Sequence, residues 1–341
     1  MRRFLSYTFI LCGFIAVCLC SSCKKNDAEE TKPYMEGEVK FDFPSFVKAS
    51  STVTSEASGI TKPEEHVYKW SCNSMFNDTV VSPVIIGEVP DSLGTYAITA
   101  FAFADGYYAS YTTKMFTTVN PERNGSLKGI ASPAGVFRDS RDDMDYDTVR
   151  VGSLYWFAQN LAWSGAGVAY GDSPITHSSF GRMYTWNEAT GGESGSGLGN
   201  GPQGACPEGW SVPTAEDWED LAAAVTGSPQ LFSGRWPDAG VLLSAEASFN
   251  GSLMWPYSYD NRHTNDIGWN AIPTGYYNTS SKEFLKYGKY AFFWSSFADG
   301  DKAYYRYVYY NETAMPSAFT SKEGWAAPVR CVKPVTQQDI Q

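Results

Sequence analysis

The chain has 341 residues, 43% of them hydrophobic and 18% charged, which suits two domains with real cores and rules out a many-pass membrane protein. Its 37 Asp and Glu against 26 Lys and Arg give a net charge of −11, a poor match to nucleic acid, whose phosphates need clustered cations. Aromatics reach 16% and long Ala/Leu/Glu/Lys stretches are missing, so the chain reads as β-rich with many turns.

Residues 1–22 read as an export signal: Arg2-Arg3 form a positive start, Phe9 to Cys20 an apolar run too short to span a bilayer comfortably, and Ser21-Ser22 a small-residue exit. Cys20-Ser21-Ser22-Cys23 resembles the lipobox of bacterial lipoproteins, with Cys20 where Leu or Val is usual. That resemblance implies lipidation of Cys23, a membrane anchor, and an outer-membrane location facing the cell exterior. The charged stretch Lys24 to Glu30 resembles the tether of Bacteroidetes surface lipoproteins, and residues 23–36 are read as that tether. Cleavage before Cys23 leaves 24 basic against 37 acidic residues, a charge of −13. With Cys23 acylated, three thiols remain, Cys72, Cys206 and Cys331, which predicts one disulfide and one buried thiol.

Residues 37–120 read as an all-β domain. Val67 to Cys72, Gly94 to Phe101 and Tyr111 to Val119 alternate apolar and polar. Asp91, Gly94, Asp105-Gly106 and Asn120-Pro121 punctuate the runs as turns. Strands at about ten-residue spacing make a β-sandwich. A Trp on one strand and a Gly-x-Tyr opening a later one resemble PKD-type and other immunoglobulin-like surface domains. Trp70 and Cys72 share a strand face and are expected in the core. Residues 121–133, rich in Pro, Gly, Ser and Asn, read as a linker, and residues 336–341 as a tail.

Residues 134–335 form a second unit. Phe137 to Asp142, Tyr146 to Gly152 and Trp156 to Leu161 open it. Tyr184-Thr185-Trp186-Asn187-Glu188-Ala189, Cys206-Pro207-Glu208-Gly209-Trp210, Gly268-Trp269-Asn270, Phe293-Trp294-Ser295-Ser296 and Val329-Arg330-Cys331 follow. These landmarks, in this order, resemble the Fibrobacter succinogenes major paralogous domain. Trp269 stands where that family tends to have Phe. The resemblance implies a C-type-lectin-like α+β unit with twisted antiparallel strands and few helices. The residues add a helix start at Thr214, whose hydroxyl caps a free amide with Asp217 in the first turn. Trp218, Leu221, Ala222 and Val225 then fall on one apolar stripe. A Cys206–Cys331 bridge is expected, fastening the domain's C-terminus to this helix.

Catalytic signals are thin. His66, His177 and His263 stand apart, and no H-E-x-x-H, G-x-S-x-G or phosphate loop occurs. The Gly191–Gly201 stretch lacks the strand and helix that would frame a nucleotide site and reads as a flexible loop. Asp139, Asp142, Asp143, Asp145 and Asp147 offer hard oxygens suited to Ca²⁺, with Asp142, Asp143 and Asp145 as the ligand set. Arg138, Arg141 and Arg150 neutralise the run, however, and it falls at a hairpin tip. Asp260, Asn261, Arg262, Asn265 and Asp266 form a second polar loop.

The aromatic excess points to binding. Ten of the eleven Trp follow residue 150, and Trp163, Trp236, Trp255 and Trp325 lie off the landmarks in Gly/Pro/Ser-rich surroundings. An exposed indole beside polar side chains holds a sugar ring or peptide edge by stacking and directed hydrogen bonds. Trp255, Tyr257, Tyr259, Asp260, Asn261 and Arg262 make the densest such segment. In Tyr304 to Tyr310 the alternation predicts a strand with one Tyr face open to solvent. Asp78-Thr79-Val80, Asp91-Ser92-Leu93 and Asp147-Thr148-Val149 resemble the O-glycosylation tripeptide of Bacteroidetes exported proteins. The expected function is non-catalytic surface binding of a glycan or a protein. The alternatives are a tip or structural subunit of a surface fibre, or a polysaccharide-processing enzyme with two facing carboxylates.

Overall fold

A computed structural model describes residues 31–76, 79–122, 125–132, 134–258 and 262–336. The expected signal, Cys23 and Asp78, with Tyr259, Asp260 and Asn261 of the aromatic segment, lie outside the described residues.

The N-terminal unit is all β. Its main sheet orders the strands Phe46–Lys48, Ser110–Val119, Thr95–Phe103, Val67–Ser71 and Val80–Val81. The first of these neighbours Ser110–Val119 in parallel and the other pairs are antiparallel. Two ladders, Glu36–Lys40 with Ser58–Lys62 and Thr52–Glu56 with Val84–Glu88, complete it. The period-2 pattern explains the faces. Ile98, Ala100 and Ala102 point into the core, whereas Thr95 and Thr99 stand outside and share hydroxyl hydrogen bonds with Thr117 and Thr113 across the strands. Trp70 is fully buried, its indole N–H donating to the Ser82 carbonyl at 3.0 Å. Cys72 is a buried free thiol in the same core.

In the C-terminal unit, Gly135–Asp139, Met144–Val151, Leu154–Phe157 and Val332–Pro334 form an antiparallel sheet that sets the last strand beside the first three. A second sheet joins Val168–Ala169, Arg182–Thr185, Trp325–Ala327, Tyr276–Asn278 and Glu283–Leu285, and a third joins Tyr290–Asp299, Lys302–Tyr309 and Ser317–Ser321. The helix expected after Thr214 runs over Ala215–Thr226. Thr214 and Asp217 each cap the other's backbone amide, and Gly227 closes the helix in the left-handed region. Trp218, Leu221 and Ala222 are buried with Trp156, Trp269 and Phe293 in one aromatic core. Cys206 and Cys331 form the predicted disulfide, with Cα atoms 5.8 Å apart.

Two buried arginines brace this core through backbone carbonyls. Arg330 donates to Asn160 Oδ1 and to the carbonyls of Phe157, Trp269 and Asn270, with its guanidinium 4.3 Å from the Trp269 ring centre. Arg306 donates to the carbonyls of Gly234, Met315 and Phe232 and lies over the Trp236 ring. A planar fork with five donors suits the task of satisfying carbonyls that regular strands leave unpaired.

The segment expected as a linker carries the short strand Leu127–Lys128, which pairs with Ser248–Phe249 and so joins the C-terminal unit. Val119 and Leu127 pack with Phe180, Phe249 and Ile272, and Phe46 leans on the same cluster. Asn250 donates its side-chain amide to the Thr118 carbonyl at 2.6 Å. The two units therefore meet through an apolar contact and a hydrogen bond. The Gly191–Gly201 loop, expected to be flexible, is tied at several points: Ser194 Oγ donates to the Ser296 carbonyl and the Gly199 amide to Asp217 at 2.6 Å.

Candidate functional site

A groove of about 640 Å³ on the C-terminal unit lies beside the Ser248–Phe249/Ser252–Leu253 hairpin and the residues that follow it. Backbone hydrogen bonds fix both ends of this segment: the Met254 amide donates to the Ala247 carbonyl, and the Thr264 amide to the Val241 carbonyl. Ser258 shares a hydrogen bond with the Asn311 side chain, which ties the loop to the rest of the unit. Asn265, one of the polar-loop residues, exchanges hydrogen bonds with Asn270 and closes the turn.

Trp255, Tyr257 and Arg262 come together around this groove, with Glu246, His263 and Thr264 also lining it. Their roles differ from the expectation in one respect. Trp255 is only 4% exposed and Trp236 is fully buried, because both complete the core beside Trp218 and Leu243. Neither indole is a free stacking platform. Tyr257 supplies the open ring instead, at 85% exposure, with Arg262 exposed nearby. Behind them the His263 imidazole lies on the Trp255 indole, centroids 4.6 Å apart. Burial lowers the His263 pKa to about 4, so the ring is neutral near pH 7. Among the described residues, neither nitrogen of His263 nor the Trp255 indole N–H has a hydrogen-bond partner. The groove thus joins an acid, a guanidinium, hydroxyls and an aromatic ring, while the unpartnered nitrogens of His263 and Trp255 lie buried behind it.

The carboxylates considered for calcium diverge. Asp143 and Asp145 both pair with Arg138, at 3.1 Å each, on the exposed hairpin between Gly135–Asp139 and Met144–Val151. Asp142 accepts from the Met144 amide, and burial raises its pKa. Asp139 is buried in a fork with Arg141. Among the described residues no three His, Cys, Asp or Glu side chains gather where they could hold a metal ion.

A second aromatic surface was only partly foreseen. Along Lys302–Tyr309, Arg306 and Val308 are buried, whereas Tyr305, Tyr307 and Tyr309 on the opposite face are half-buried, Tyr305 and Tyr307 against a second core. Tyr305 and Tyr307 line a shallow cleft of about 360 Å³ with Tyr276, Tyr290, Phe292 and Trp325. The strand was legible from period 2, but the Tyr face expected to be open to solvent is half-buried. The strands that bring Tyr276 and Trp325 to it are distant in sequence, and no local signal announces them.

Residues 149–333 match the family described as the Fibrobacter succinogenes major domain, and the chain belongs to that family. No curated protein and no solved structure matches the chain. Among the described residues no helix is long and apolar enough to cross a membrane.

Proposed function

We propose that this chain is a non-catalytic surface lipoprotein that binds a glycan in the groove around Trp255, Tyr257 and Arg262. In this reading Cys23 carries the lipid anchor at the outer membrane, an immunoglobulin-like N-terminal domain serves as a spacer, and a C-type-lectin-like head presents the groove. The Cys20–Cys23 motif supports the anchor, and the alternating strands with their buried Trp70 support the spacer.

The observation that carries the binding reading is the exposed Tyr257 ring beside Arg262, at a groove that Glu246, Ser258 and Thr264 also line. A sugar offers an apolar ring face for Tyr257 and hydroxyls that both donate and accept, so it meets all of these groups together. The acidic charge of the chain favours a neutral glycan over a sulfated or uronic one. The test is a glycan array probed with residues 24–341, with calcium and with chelator. Binding to neutral glycans that survives chelator supports the reading, because among the described residues no cluster could hold a metal ion. Silence across the array overturns it.

A further inference from the structure

A second cavity, of about 340 Å³, lies between the two units. Phe46, Thr95 and Thr117 wall it from the N-terminal unit, and Tyr170, Asn250 and Tyr287 from the C-terminal unit. Leu253, 64% exposed, lines both this cavity and the Trp255 groove, so the two adjoin across a single side chain.

The second cavity, like the first, sets aromatic rings beside polar side chains, here uncharged ones. Tyr170 and Tyr287 pack together with ring centroids 5.0 Å apart and planes inclined at 37°. The Asn250 amide group donates to the Thr118 carbonyl, which leaves its buried Oδ1 without a donor. Aromatic rings beside polar side chains thus occur on both sides of Leu253. The cavity walls hold their positions because Val119, Leu127, Phe180 and Phe249 pack the two units together beneath it.

We infer that the two cavities form one binding track, and that its ligand is a linear neutral oligosaccharide that crosses Leu253 and touches both units. The inference rests on the reading of the Trp255 groove as a glycan site, and it adds chain length as the property recognised. Each cavity has a volume in the range that holds one small ligand, so a disaccharide fills the first and leaves the second unused. The N-terminal unit becomes part of the site and no longer a spacer alone.

The experiment is calorimetric titration of residues 24–341 with manno- and cello-oligosaccharides, from disaccharide to hexasaccharide. Affinity is expected to rise by about tenfold or more as the chain lengthens past the disaccharide. Two variants separate the cavities. Ser252→Trp, at an exposed position lining the inter-unit cavity, fills it, and Tyr287→Ala removes its stacking face. Both are expected to abolish the gain with length while leaving disaccharide affinity unchanged, with melting temperatures confirming the fold. Affinity that is flat with length, or long-chain affinity indifferent to Ser252→Trp, overturns the track while leaving the Trp255 site standing. If no length of either series binds, the glycan reading itself fails and the track with it.

Discussion

The imidazole of His263 lies flat against the indole of Trp255, with ring centroids 4.6 Å apart and planes 18° from parallel. Trp255 anchors this pair in the core, and His263 faces the groove that Tyr257 and Arg262 open to solvent.

This burial makes stability depend on pH. The His263 pKa falls to about 4 in the folded chain, below the ordinary value of 6.5, so the unfolded chain binds the proton more readily. Native stability is then unaffected above about pH 6.5 and declines as the pH falls from there toward 4. The loss is on the order of 2 kcal/mol once the attraction of an imidazolium for an indole face is allowed for. His263→Phe keeps the stack and removes the titration. Urea midpoints at pH 7.5 and 4.5 are expected to differ less in this variant than in the parent. An equal pH dependence in both would contradict the assignment.

The Cys206–Cys331 bridge closes a separation of 125 residues. The chain-entropy account puts its contribution at about 4–5 kcal/mol. Replacing both cysteines with serine is expected to lower unfolding free energy by that amount, measured by denaturant titration. The free Cys72, buried in the N-terminal unit, is expected to react with thiol reagents only after unfolding.

Arg330 satisfies three carbonyls and Asn160 inside the core. Arg330→Met leaves those acceptors buried without donors and is expected to cost on the order of 3 kcal/mol. Arg330→Lys is expected to fare nearly as badly, because a single ammonium cannot reproduce the fork. A lysine variant that unfolds at the parental denaturant midpoint would contradict this.

Thr214 caps the Ala215–Thr226 helix and also donates its hydroxyl to the Gly197 carbonyl. Thr214→Ala is therefore expected to cost about 1–2 kcal/mol, at the upper end of cap substitutions, as read by thermal melting. Asp217→Asn tests the other half of the box: the Gly199 amide loses a charged acceptor at 2.6 Å, so the glycine loop should gain hydrogen exchange.

Local signals carried much of this architecture. Alternation in Thr95–Phe103 and Lys302–Tyr309 gave the strands and their faces, and Thr214 with Asp217 gave the helix start. The role of Trp255 was not legible, because a tryptophan in a polar, Pro-rich segment looks the same in sequence whether its ring faces solvent or a distant core. Only the packing of Trp218, Leu243 and Trp255 in one cluster decides it. The buried arginines were hidden for a related reason: nothing adjacent to Arg306 reveals the carbonyls of Phe232, Gly234 and Met315 that it satisfies. Leu127–Lys128 looked like linker because a two-residue strand has no period to read, and its partner lies at Ser248–Phe249.

The central claim is that the groove lined by Trp255, Tyr257 and Arg262 holds a neutral sugar. A crystal structure of the protein with the tightest neutral oligosaccharide from the array tests it most directly. The account predicts a sugar ring against Tyr257, hydroxyls within hydrogen-bond distance of Arg262 and Glu246, and the chain continuing past Leu253. A ligand seated on the cleft of Tyr290, Tyr305, Tyr307 and Trp325, with the Trp255 groove empty, would contradict it.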